Sequence, residues 1–382
     1  MTFRKSAPSI LFTAVVVVVA LVSLASNLIS HRMAAQFESA QFSLMGEILR
    51  SQLRRAEGRA ISAAELVAAI PSVRQAFAAR DREGLLALTR PAFEIQKEKY
   101  GISQAQFHLA PAVSFLRVHN PAKFGEDLSS YRNLVVEVNR TQAIRKGTEV
   151  TTSGIGIFGA LPVLDAAGNP VGSFEMAYDF GPQLEELKNE YGFELGLFVE
   201  EKILRATATS LSPEIYNDQN RFGSHIRFAS THPTLVGDLL LPGDLDIREE
   251  ARHLRTSGGV SYGLLLQPVY DYAGTQFGVI AVVRSFAATR SADGQAKVWQ
   301  TLLGVFAAVL LIGVISTVLR GLLLRPLAAL STQVAAAAEN PRNTTIEMPG
   351  VVCTEVSELE KHCERLRQVA ASGQPSSGVG PS

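Results

Sequence analysis

The chain has 382 residues, with 36 basic and 36 acidic side chains and no formal net charge. That balance argues against an electrostatic grip on nucleic acid, and the length leaves room for two or three domains. The two cysteines, Cys353 and Cys363, lie near the C-terminal end, so no disulfide framework or cysteine-based zinc site is expected before them.

Taken in chain order, residues 6–30 carry no charge over 25 positions. A helix needs about 20 apolar residues to cross a bilayer's hydrocarbon core, so a span over 9–30 is predicted behind a short cytoplasmic N-terminus, 1–8. A cleaved signal peptide is the alternative, because Arg4 and Lys5 precede the run and "SLAS" offers small residues. The uncharged stretch exceeds an ordinary signal core, however. A second run, 298–319, is also uncharged and predicts a span over 297–319. Arg4 and Lys5 before the first span and Arg320 and Arg325 after the second put both termini in the cytoplasm by the positive-inside rule. Residues 31–296 then lie outside, as a periplasmic region of an inner-membrane protein. Trp299 reads as an interfacial anchor.

From residue 31 to about residue 100, apolar residues recur at three- and four-residue steps, which predicts helix. Ser62 with Glu65 reads as a capping box opening a helix, and Pro71 and Pro91 as breaks or bends. The pattern then becomes short and alternating: "AQFHLA", "VSFLRVH", "GIGIFGALPVLD" and "VGSFEMAYDF" read as strands, with "LDAAGNPVG" as a hairpin turn.

An internal repeat organises the region. "PVLDAAGNPVGSFEMA" from Pro162 and "PVYDYAGTQFGVIAVV" from Pro268 align without gaps at an offset of 106, sharing Pro, Val, Asp, Ala, Gly and Gly. The predicted fold class is therefore α+β, with two tandem modules over 31–183 and 184–296, each closed by a hairpin. The last strand of the second module runs almost directly into the second span. Beyond it, Leu327, Leu330, Val334 and Ala337, then Val356, Leu359, Cys363 and Leu366, make two short stripes at coiled-coil spacing. Such stripes need a partner, most simply a second copy. Residues 371–382 are rich in Gly, Ser and Pro and read as a disordered tail.

The passage "FHLAPAVSFLRVHNPAKFGEDLSSYR", residues 107–132, carries the candidate site. As a strand, "VSFLRVH" places Val113, Phe115, Arg117 and His119 on one face and Ser114, Leu116 and Val118 on the other. His108 shares a face with Gln106. A loop turning at Asn120 and Gly125 would enter a helix through Asp127 or Ser129 and bring Tyr131 and Arg132 over that face. Arg117 and Arg132 suit a carboxylate or phosphate, the histidines donate or accept, and Asp127 could hold an amine. Glu175, inside an otherwise apolar strand, could face the same pocket or lie at an edge. The ligand-binding set is thus His108, Arg117, His119, Asp127, Tyr131, Arg132 and Glu175, for a small anionic or zwitterionic molecule. A structural Arg117–Asp127 ion pair is the plain alternative. A metal site of His108, His119 and Asp127 lacks diagnostic spacing. No catalytic motif is present, and no cofactor is expected. Tyr262, Gln267, Tyr270 and Tyr272 could line a second-module pocket; His225, His232 and His253 are expected to be exposed.

These features together resemble a bacterial transmembrane chemoreceptor-type sensor. The external part is similar to a double Cache domain, of PAS-like modules on a long helix, in the subfamily common among methyl-accepting chemotaxis proteins. Residues 320–370 resemble a HAMP linker, with Pro326 at that family's proline and Glu355 at its second-helix acid. The resemblance implies a homodimer that binds amino acids or carboxylates and is not an enzyme. Chemoreceptors continue into a signalling hairpin, and related receptors into a kinase or cyclase, but no such motif fits in "ASGQPSSGVGPS". Output is expected from a continuation of the chain or from a separate cytoplasmic signalling protein. A membrane-anchored enzyme or a non-sensing scaffold are the rival readings.

Overall fold

The computed structural model describes residues 3–340, 344–347 and 354–372, without the side chains of 3–11, 288–297, 319, 322, 323, 354 and 355. Cys353, the Glu355 side chain and residues 373–382 of the expected tail lie outside what is described. Residues 35–291 form one compact unit, and the described residues outside it form a second.

The larger unit is built on helices α1 (Phe3–Ala68), α2 (Pro71–Ala78) and α3 (Arg82–Tyr100). Pro71 opens α2 at its first turn, where a missing N–H costs nothing. Two expectations are corrected here. Ser62 and Glu65 lie inside α1 and start no helix, and α3 continues through Pro91. Tertiary packing decides both: Ala60, Ala63, Ala64 and Val67 of α1 and Leu85 and Phe93 of α3 bury against the first sheet.

That sheet contains β1 (Ile102–Leu109), β2 (Val113–Arg117), β3 (Arg145–Thr151), β4 (Gly154–Leu164) and β5 (Pro170–Asp179), in the order β2-β1-β5-β4-β3. One face buries Phe107, Leu116, Phe174 and Met176 against α1–α3. The other is partly covered by α4 (Asn133–Thr141) through Leu134, Val138, Phe158, Ala160 and Ala177.

After α5 (Phe180–Tyr191), a second antiparallel sheet follows. Its strands are β6 (Glu194–Glu200), β7 (Arg221–Phe222), β8 (His225–Ser230), β9 (Ala251–Ser257), β10 (Val260–Tyr270) and β11 (Gln276–Ser285), ordered β7-β8-β6-β11-β10-β9. Short helices α6 (Glu201–Thr207) and α7 (Pro233–Asp238) fill its connections. Apart from the edge strand β7, the order repeats that of the first sheet. The duplication read from two hairpins therefore extends to whole modules.

The pairing of β1 with β2 corrects the face assignment around Arg117. Gln106 faces Arg117 and Phe107 faces Leu116, but His108 faces Ser114 and Leu109 faces Val113. Phe115 is thus an extra residue, and a bulge of one residue inverts strict alternation. Ser114 joins Arg117 on the polar face, while Val113 joins Leu116. The Gln106 amide donates to Ser114 Oγ at 2.9 Å across that face.

In the smaller unit, the two stretches apolar enough to cross a membrane lie in α1, from Phe12, and in α8 (Ala287–Val318), over Val298–Val318. A π-helical turn over Leu319–Leu324 leads into α9 (Arg325–Glu339), whose first turn contains Pro326, and α10 (Thr354–Ser372) follows. Leu330, Ala337, Ile346 and Cys363 pack together. Val334 of the first stripe and Leu359 and Leu366 of the second stay exposed among the described residues.

Candidate ligand cavity of the first module

On the polar face of the first sheet lies a cavity of about 350 Å³. β1 supplies Ser103, Gln104 and Gln106 to its wall. β2 and the loop after it supply Arg117, His119, Asn120 and Lys123, and the approach to α4 supplies Leu128, Tyr131 and Arg132. The β3–β4 turn gives Thr151, Thr152 and Ser153, the end of β5 gives Asp179, and the segment after α6 gives Ser210.

The loop is folded by its own backbone. Gly125, at φ 88°, occupies the left-handed region that glycine enters without strain. Its N–H donates to Ser114 O at 2.7 Å, Ser114 N–H returns to Glu126 O at 2.9 Å, and Leu128 N–H donates to Ala112 O at 3.0 Å. The segment thus runs back alongside residues 112–114. Arg82 of α3 clamps it from outside, bonding the carbonyls of Phe115 and Pro121 and covering the Phe124 ring.

Arg117 is buried, and its Nη1 donates to Lys123 O at 2.9 Å and to both Glu126 oxygens at 2.9 and 3.1 Å. Burial alone would raise the Glu126 carboxyl, but its bonds to Arg117 hold it below the usual carboxylate range. His119 lies past the end of β2 with Nδ1 against the backbone of Ala105. Burial lowers its pKa, with Arg117 pushing the same way, so it is neutral at pH 7. Tyr131 is half-buried at the wall.

Beneath the cavity sits a buried charge cluster. Arg132 Nε donates to Glu149 Oε2 at 2.8 Å and its Nη2 to Glu175 Oε2 at 2.5 Å, with the guanidinium 4.4 Å from the centre of the Phe158 ring. Glu149 Oε1 also accepts from Leu134 N–H at 2.7 Å, in the first turn of α4, where the helix dipole favours an anion. His108 Nε2 lies 3.1 Å from Glu175 Oε1 but off the hydrogen-bond direction, so both atoms are unpartnered among the described residues. Burial would raise the Glu175 carboxyl, but Arg132 and His108 bring it down to about 2. Burial raises Glu149, the second acid on one guanidinium, and lowers His108. Burial opposes the charge on Arg132, but the two carboxylates outweigh it and raise its pKa.

Of the expected residues, Arg117, His119, Tyr131 and Arg132 reach the cavity wall. His108 and Glu175 lie behind it. Asp127 is a correction: it is exposed, outside the wall, and turns its Oδ1 onto the N–H and hydroxyl of Ser129. It opens no helix, since α4 starts at Asn133, and Arg117 pairs with Glu126 instead. Sequence reasoning missed Glu126, Lys123, Glu149 and Asp179. Parity along β5 could have found Asp179, which stands four residues from Glu175 on the same face.

The second module has a cleft of about 190 Å³ lined in part by Glu200, Ser224, His225, Asp246 and Arg248. His225 is buried, against expectation, because β8 pairs with β6 and draws it under the sheet edge. His232 is exposed and caps α7 at Leu235 N–H; His253 is partly exposed. Tyr262, Gln267, Tyr270 and Tyr272 do not line that cleft. Among the described residues, no cluster of His, Cys, Asp and Glu could hold a metal ion.

Compared with known proteins, residues 37–289 match a family model described as the double sensory domain of two-component sensor kinase. The chain is similar to the ligand-binding domain of the Campylobacter jejuni chemoreceptor Tlp3 in complex with 4-methylisoleucine, at 10% identity, covering 67% of this chain and 92% of that one, with a TM-score of 0.41. It is also similar to the periplasmic domain of Vibrio cholerae LuxQ, at 12% identity, 66% and 99% coverage and a TM-score of 0.34. The ligand-binding domain of Mlp24 with asparagine gives 13% identity, 69% and 97% coverage and a TM-score of 0.32. No curated protein sequence matches significantly.

Proposed function

The chain belongs to the double Cache family of sensory domains, and from that membership we propose that it is an inner-membrane receptor whose first module binds a small zwitterion or carboxylate. The observation that carries this is a charge account of the cavity. Arg117 is matched by Glu126, Arg132 by Glu149 and Glu175, and His119 is neutral. Two wall residues remain outside any ion pair among the described residues: the cation Lys123 and the carboxylate Asp179, which accepts only from Ser103 Oγ at 2.8 Å. One free charge of each sign, set among hydroxyls and amides, suits a molecule carrying both an acid and an amine, such as an amino acid.

The two spans would anchor the protein with both termini cytoplasmic and residues 31–296 in the periplasm. Residues 320–370, with Pro326 and Glu355, would act as a HAMP linker in a homodimer, whose partner copy would cover Val334, Leu359 and Leu366. A signal passed to the cytoplasm would bias two packings of that linker, in chemotaxis or a related pathway and with a separate signalling protein where needed.

The test is a thermal-unfolding screen of the full chain in detergent against amino acids, organic acids and simple amines. Ligand at about 100 times its Kd stabilises by about 2.7 kcal/mol, a shift of a few degrees. A hit should be lost in Lys123→Ala and Asp179→Asn and kept in Arg221→Ala, which alters a site on β7. Hits that are indifferent to both cavity substitutions would overturn the assignment.

A further inference from the structure

The hairpin that closes the second module copies the turn of the first almost atom for atom. Asp165 N–H donates to Asn169 O and Asp271 N–H to Thr275 O, both at 2.9 Å. The same aspartates accept from Asn169 N–H and Thr275 N–H, both at 2.8 Å. Gly168 and Gly274 follow with φ of 85° and 82°. One position differs in kind: the first turn carries Ala166, exposed to solvent, and the second carries Tyr272, which is partly buried.

Nothing in the turn itself requires that tyrosine. It reaches out of its own module. Tyr272 N–H donates to Thr148 O of β3 at 2.9 Å, and its ring lies over Gly147, where a Cβ would come within 3.3 Å of it. The ring packs on the cluster of Leu134, Val138, Phe158, Ala160 and Ala177. Phe158 is the ring that carries the Arg132 guanidinium, and Arg132 is both a cavity wall and the partner of Glu149, next to Thr148 on β3. At the open end of the same hairpin, Arg284 Nη1 donates to Gln41 Oε1 of α1 at 3.1 Å, and Phe286 meets Phe42 with ring centres 5.4 Å apart. One residue further on, α8 begins.

We propose that Tyr272 is the positioning residue through which the second module reads the first-module cavity, acting through Phe158 and Arg132. The β10–β11 hairpin carries the displacement from its turn to the junction with α8. The inference rests on the reading of that cavity as the ligand site. It assigns the coupling to one side chain, which the duplicated first turn lacks.

The test does not depend on knowing the ligand. In the full chain with Cys353→Ser and Cys363→Ser, Ser103→Cys places a single thiol in the cavity wall, on β1. Modification with sulfonatoethyl methanethiosulfonate, checked for completeness by mass, fills the cavity with a small anion. Amide hydrogen exchange over residues 271–285 should then change by about fivefold or more, the lower end of ordinary coupling between sites. With Tyr272→Ala, which restores what the first turn carries, that change should fall below about twofold, while β1 and β5 still respond; Tyr272→Phe should keep it. An equal change over 271–285 in Tyr272→Ala, or no change there in either protein, overturns the proposal. Because the filling group is covalent, such a failure is separate from a ligand screen that returns no cavity-dependent hit.

Discussion

Arg132→Leu is the sharpest probe of what holds the cavity floor. The substitution keeps an apolar body over Phe158 but removes the one cation bonded, among the described residues, to both Glu149 and Glu175, whose side chains are 3% and 1% exposed. Two carboxylates would then have to stay charged without a partner or take up protons far above their ordinary pKa. Removing one member of a buried ion pair costs about 3–5 kcal/mol. Glu149 keeps the Leu134 N–H and the start of α4, which places the expected loss near the middle of that range, about 4 kcal/mol. At a urea slope of about 3 kcal/mol per molar, the unfolding midpoint of the first module should fall by more than a molar. The assay is urea unfolding of the variant beside Arg132→Leu/Glu149→Gln/Glu175→Gln. If uncompensated charge is the cause, neutralising both acids should restore about half the loss or more, a strongly non-additive result. A single variant that loses under about 1 kcal/mol, or a triple variant no better than the single, would refute the reasoning.

Acid should weaken the two modules through their buried histidines. Burial lowers the pKa values of His108, His119 and His225, so the unfolded chain takes up their protons first. The stability they hold is fully present above the unfolded value of about 6.5 and is lost as pH falls below it towards the folded values. Urea midpoints measured from about pH 8 to pH 5.5 should therefore fall, and His108→Gln should flatten the slope; a midpoint that rises on acidification contradicts the assignment. The repeat also makes a paired prediction. A Cβ at Gly172 would run into His108 O and one at Gly278 into Phe198 O, both backbone atoms, whereas Gly168 and Gly274 face open space. Gly172→Ala and Gly278→Ala should each cost about 2 kcal/mol or more in thermal unfolding, clearly beyond the roughly 1 kcal/mol of left-handed strain at Gly168→Ala and Gly274→Ala.

What the sequence revealed and what it hid divide by range. The hairpins 162–177 and 268–283, the apolar stretches and the stripes of α9 are local patterns, written in spacing over a dozen residues, and they appear in the fold at those places. The cavity's electrostatics are not local. The polar loop offers Asp127 as a plain alternative partner for Arg117, but Glu126 is the residue that the return of the chain beside Ser114 turns towards it. Glu149 sits in "RKGTEVT", which reads as a solvated strand until α4 closes over it and Arg132 arrives from 17 residues away. A single bulge at Phe115 inverts the parity on which the face assignment rested, because strand alternation has no tolerance for one inserted residue. The same bulge has a functional consequence. It lets Ser114 and Arg117 share the polar face while Phe115 still packs against Phe77, so a five-residue strand serves the apolar core and the cavity at once.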